Sequence, residues 1–243
     1  MSVAIEFKKT KRTGFWPAFT AGGILTAAVP VVNMAVRSEI YTGVSGEPLA
    51  ILLKANWQMM AMLHMFLMIL GACLIYHTEY ADNALQKMEM LPVSLFRMHI
   101  SKVQILTAAG LAALLLENLS FAFCVHQWFE TPPGFWIELL KNAGFTAILM
   151  FPVIFAVLAV AYLCKNMWVS LGICVICVFI VLVIPQTMSP DSAFVLFPFA
   201  LPFQSFSFLT AKQVSRLLGA AGTEIAVLMA LQVVFLKIRR RWA

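Results

Sequence analysis

Inside long apolar runs this chain carries a few side chains able to do chemistry: His64, Glu117, Asn118 and Glu224. A carboxylate at mid-bilayer costs about 2.5–3.5 kcal/mol on insertion scales, so such groups turn toward a protein interior or a hydrated cavity. Glu117 interrupts "AALLLENLSFA" and Glu224 interrupts "AAGTEIAVLM". Counted from the cytoplasmic span ends at 1.5 Å per residue, they lie about 22 Å and about 20 Å deep, at one level in the outer half. Two readings fit them. They could bond structurally to Asn118, Ser120 or Thr223, or they could face a cationic substrate. His64 reads as a polar contact between helices.

Other chemistry fails on spacing. The remaining histidines, His77, His99 and His126, sit near span ends, so no second histidine shares the depth of His64 for paired haem ligation. Cys174 and Cys177 form one C-x-x-C within a Val/Ile-rich span, without the second pair or the histidines that zinc requires. Those two, with Cys73, Cys124 and Cys164, read as small apolar fillers. Neither G-x-x-x-x-G-K-[ST] nor H-E-x-x-H occurs, which argues against a P-loop or a zincin. No cofactor is expected in this chain.

The elements that position these residues are membrane spans. The chain has 243 residues, of which 62% are hydrophobic and 12% charged, against roughly 45–50% and about 25% in soluble domains. The runs Gly14–Val36, Trp57–Tyr76, Val103–Val125, Ala143–Leu163, Met167–Ile184 and Leu217–Leu236 approach or reach the ~20 residues that a spanning helix needs. Helices are expected because lipid leaves backbone groups no other partner. The fold class is thus an all-α integral membrane protein of six spans, with residues 1–243 as one domain. Lys8–Arg12 before an apolar run resembles a signal peptide, but the run is too long for an h-region and reads as a retained span.

Charge sets the orientation. Lys8, Lys9, Lys11, Arg12, Lys87, Arg97, Lys102, Lys165, Lys237, Arg239, Arg240 and Arg241 fall on one side; Arg37, Lys54, Lys141, Lys212 and Arg216 fall on the other. The positive-inside rule puts both termini in the cytoplasm. The net charge of +6 is then a topology signal rather than a nucleic-acid patch.

Residues 2–13 suit a short interfacial helix or a frayed terminus. The outer loop 37–56 holds turn formers, and near 126–142 Trp128, Phe129, Phe135 and Trp136 suit an aromatic belt. Residues 185–216 are rich in Phe, yet Pro185, Pro190, Pro198 and Pro202 forbid one continuous helix. Short re-entrant helices packed on the other spans are expected before the last span.

The longest polar stretch is "EYADNALQKMEMLPVSLFRMHISK", residues 79–102. Asn83 with Gln86 has capping-box spacing, and Pro92 ends a helix starting near Ala84. Leu85, Met88 and Leu91 make an apolar stripe; Lys87 and Glu89 face elsewhere. A rod about 12 Å long between two spans could fit a groove on a soluble partner, or rest on headgroups.

This loop, the opening "IEFKKTKR" and the six-span layout resemble the permease subunits of ABC exporters of the second exporter class, in particular lantibiotic-immunity permeases. The loop is similar to that family's acidic residue, Asn, short helix, Leu-Pro-Val-Ser turn and basic helix ending in Ser-Lys. The resemblance covers essentially the whole chain, and Ala84 and Leu85 depart from the Thr often found there. It implies a cytoplasmic coupling helix formed by Asn83, Leu85, Lys87, Met88, Glu89, Leu91 and Pro92. It also implies separate ABC ATPase subunits carrying ATP and Mg, and a second permease, the same or homologous. The implied setting is a bacterial cell membrane, where an antimicrobial peptide, commonly cationic, is exported for self-immunity or resistance. A drug or lipid exporter permease, or a non-transport membrane subunit, is the alternative.

Overall fold

A computed structural model describes residues 3–11, 13–81, 95–164, 166–183 and 196–242. Their regular elements are all helical: α1 Val3–Thr10, α2 Phe15–Thr42, α3 Pro48–Ala81, α4 Leu95–Trp128, α5 Phe135–Leu163, α6 Met167–Val183 and α7 Ala211–Trp242. Between α6 and α7 lie two 3-10 turns, Pro198–Phe203 and Phe206–Phe208.

Five helices, α2, α3, α4, α5 and α7, are long and apolar enough to cross a membrane. The expected fifth span, α6, has 17 residues and is about 26 Å long. The helices outrun the apolar runs that announced them. At 34 residues each, α3 and α4 reach about 51 Å, well past a ~30 Å hydrocarbon core. Polar residues continue a helix that tertiary packing supports, so hydropathy alone marks its ends too early.

The first expected span, ending at Val36, is only kinked there: Arg37 leaves helical geometry (φ −135°, ψ 32°), and α2 continues to Thr42. The outer loop expected over 37–56 shrinks to a short turn, with Pro48 opening α3, where its missing N–H costs no helical bond. The belt is also partly corrected: Trp136 is exposed, but Phe135 is buried in the core. Within the Phe/Pro-rich stretch, the described residues before α7 form the two 3-10 turns, with Phe199, Ala200, Leu201 and Pro202 buried.

The first and last spans bury 28% of their apolar windows, whereas α3, α4 and α5 bury 56–67%. These three therefore form the centre. α2 packs on α3 and α4, α7 packs mainly on α5, and α6 packs on α3 and α5. At the other end of the chain, Gly14 turns with φ 75°, a left-handed conformation that other residues rarely adopt. The turn folds α1 back onto the start of α2. Trp16 Nε1 donates to Thr10 Oγ1 at 3.1 Å, and its ring lies 5.1 Å from Phe7.

Candidate functional site: a buried charge cluster and a mid-span pair

α3 stops at Ala81 and α4 starts at Leu95, so the segment 82–94 is held by these two ends. The expected coupling residues Asn83, Leu85, Lys87, Met88, Glu89, Leu91 and Pro92 lie outside the described residues. Among the described residues a charge cluster joins the two ends. Lys102 Nζ lies 2.7 Å from Glu79 Oε1 and 3.0 Å from Glu6 Oε2. Lys9 Nζ lies 2.8 Å from Glu6 Oε1 and 3.1 Å from Glu79 Oε1. Two acids and two bases thus join α1, α3 and α4.

Lys102 is fully buried, and Glu6 and Glu79 are each 2% exposed. Taking an ion out of water costs several kcal/mol, so such groups persist only when partners satisfy them. Burial alone would raise the Glu6 pKa, but the charge of Lys102 and hydrogen bonds from Lys9 and Lys102 hold it below its ordinary value. Lys9 moves the other way: burial opposes its charge, yet the bond to Glu6 and the field of Glu79 raise its pKa.

The cluster continues inward. Lys102 Nζ sits 5.0 Å from the centre of the Tyr76 ring, within cation–π range. Tyr76 OH lies 2.9 Å from His99 Nδ1, and Gln232 Nε2 of α7 lies 2.9 Å from the same nitrogen. A polar chain therefore runs from α1 through α3 and α4 to the last span. Sequence reading placed Lys102 among the cytoplasmic-side charges and His99 near a span end; the structure adds that both side chains are buried. It did not single out Glu6, Glu79, Tyr76 or Gln232 as a site. Only the Glu6/Lys9 pair carries a local signal, as neighbours three apart on one helix.

The second constellation lies mid-span. His64 Nδ1 is 2.7 Å from Glu117 Oε1, and each side chain is 2% exposed. This corrects the expected partners. Asn118 Nδ2 donates to the Leu114 carbonyl, Ser120 Oγ to the carbonyl of Glu117, and Thr223 Oγ1 to that of Ala220. None of the three reaches a carboxylate. Glu224 is 8% exposed, and neither of its oxygens has a partner among the described residues. The structure therefore joins Glu117 to His64 and leaves Glu224 apart from both. Cys174 is buried and Cys177 half-buried, both as free thiols.

Comparison with protein families finds the model of the "ABC-2 family transporter protein" family matching residues 2–181. The chain belongs to the ABC-2 transporter family. It is the membrane permease component of an ABC transporter, and its partner is an ABC ATPase subunit. No curated protein and no solved structure matches the chain. The matched region includes both constellations apart from Glu224 and Gln232.

Proposed function

We propose that this ABC-2 permease expels an antimicrobial peptide of the lantibiotic kind from a bacterial cell membrane, giving self-immunity or resistance. The observation that carries the mechanical half of this reading is the Glu6–Lys102–Glu79–Lys9 cluster. It ties the two ends flanking 82–94 to each other and to α1, so a push on that segment moves three helices together. The push comes from nucleotide-driven closure of the ATPase pair, which carries the ATP and Mg. The contact is the apolar stripe Leu85, Met88 and Leu91, fixed by Asn83 and Pro92 and flanked by Lys87 and Glu89. A second permease completes the pathway, with α6 as a sixth crossing, the 3-10 turns dipping into the outer leaflet and both termini cytoplasmic.

The substrate half rests on the resemblance of the loop and N-terminus to immunity permeases. Glu117 is bonded to His64, so Glu224, whose oxygens have no partner among the described residues, is the better acid for a cationic peptide leaving the bilayer, with Asn118 as a further polar group on the path. The test is a sensitive bacterial host expressing the chain with its ATPase. Lantibiotic tolerance should rise several-fold, return to baseline with Leu85→Glu, and leave membrane insertion unchanged. Unchanged tolerance with an assembled, ATP-hydrolysing complex overturns the peptide reading. Normal copurification of the ATPase with Leu85→Glu overturns the coupling reading.

A further inference from the structure

The side of α1 that meets the protein is polar. Glu6 and Thr10, four residues apart and so on one face, are buried, and Lys9 beside them shares the charge cluster. The opposite side carries Ile5 and Phe7, 47% and 40% exposed, and Lys8 and Lys11, both exposed. At 3.6 residues per turn these four form one arc in the order Phe7, Lys11, Lys8, Ile5. Two cations are thus bracketed by two apolar side chains. The cluster balances two acids against two bases, and neither Lys8 nor Lys11 meets a carboxylate among the described residues. The charge that α1 leaves uncompensated is therefore positive and faces outward.

The Gly14 turn sets this arc beside the start of a span. The Phe7 ring lies 5.1 Å from that of Trp16, and the Trp16 ring lies 5.2 Å from that of Phe15, the first residue of α2. Lys11 Nζ stands 5.5 Å from the centre of the Phe7 ring, so an ammonium and an aromatic ring are presented together at the mouth of the span.

We propose that this arc binds anionic phospholipid headgroups, with Lys8 and Lys11 meeting the phosphates and Ile5 and Phe7 entering the acyl boundary. Charge complementarity supplies the first argument, since a basic side chain beside an anionic leaflet is attracted to it. The second is pattern: cations set among apolar residues on one exposed helix face suit an interface, where lysine stems lie on apolar surface and their heads reach the phosphates. Position is the third, because Trp16 belongs to the aromatic type that gathers at headgroup level. The ion-pair cluster holds the other side of α1, so anionic lipid and cluster fasten one helix from two sides. Lipid of this charge should strengthen the docking of α1 on α3 and α4. This surface goes beyond peptide export and does not depend on it.

The test is backbone hydrogen exchange over α1 in the full-length permease, held in nanodiscs of phosphatidylcholine alone or mixed with phosphatidylglycerol. Exchange should be about 10–30-fold slower in the anionic discs, and high salt should shrink the difference. Lys8→Gln/Lys11→Gln should exchange alike in both lipids, whereas Lys8→Arg/Lys11→Arg should keep the difference. Both pairs should keep the wild-type thermal midpoint in phosphatidylcholine, because neither lysine belongs to the cluster. Equal exchange of wild type in the two lipids overturns the proposal without recourse to any variant. A lipid difference that survives in the Gln pair overturns it too. Protection that arises only when the ATPase is added, in either lipid, overturns it and assigns the arc to that partner.

Discussion

Lys102 Nζ lies 2.7 Å from Glu79 Oε1, joining the first turns of α4 to the last turn of α3 across the segment that both helices hold. Glu6 and Lys9 of α1 close the same cluster. Removing one member strands the others. Lys102→Met should destabilise the chain by about 3–5 kcal/mol, because it leaves buried carboxylates uncompensated. Exchanging the pair, Lys102→Glu with Glu79→Lys, should recover part of the loss. Thermal unfolding of the detergent-purified variants reads both. A Lys102→Met chain as stable as wild type would show that the cluster carries no net constraint.

The cluster also sets a pH window for docking of α1. Glu6 has a lowered folded pKa, so its contribution is present above the ordinary carboxylate value near 4.5 and is lost as pH falls through the lowered one. Lys9 has a raised pKa, so its contribution is full below the ordinary value near 10.5 and is lost as pH rises through the raised one. Protease cleavage after Lys8 or Lys9 should accordingly be slow and flat from about pH 5 to about pH 9. In Glu6→Gln, cleavage should be faster throughout that range. A steep change near neutrality in wild type would place control of α1 elsewhere.

Orientation has its own measurement. Twelve basic residues against five predict cytoplasmic termini. A cysteine introduced near residue 240 should resist a membrane-impermeant thiol reagent in intact cells and react after lysis. Labelling in intact cells would invert the topology, along with the side from which an ATPase could reach residues 82–94.

The sequence made the class and most of the spans readable, because hydrophobic runs near 20 residues have few alternatives in lipid. Val36 was legible only as the place of a kink at Arg37, since α2 continues to Thr42. The ends of α3 and α4 were not: Pro48 and Leu95 lie outside the apolar runs, where packing rather than hydropathy extends the helix. His64 read as an interhelical contact, and its pairing with Glu117 bears that out. Its partner's identity was hidden, because a separation of 53 positions carries no periodic signal. The same holds for Lys102 and Glu6, which are 96 apart. Charges at span ends look alike whether they meet water or each other. Only the approach of α1 to α4 separates the two cases.

Glu224 separates the structural and functional readings of the last span. It is buried, yet neither carboxylate oxygen is bonded among the described residues, whereas Glu117 has His64. A buried polar group without a partner costs about 1–3 kcal/mol. Glu224→Leu should therefore raise the stability of the purified chain, seen as a higher midpoint in thermal unfolding. A residue that only packed the bundle would make this substitution beneficial throughout. If Glu224 meets a cationic peptide, the same substitution should stabilise the protein and yet remove protection against that peptide. Glu224→Gln, which keeps hydrogen bonding and loses the charge, should fail in protection too. Glu117→Gln should affect protection less, since that carboxylate already faces an imidazole. Full protection by both Glu224 variants at normal expression would sink the substrate role and leave Glu224 as a strained site within the bundle.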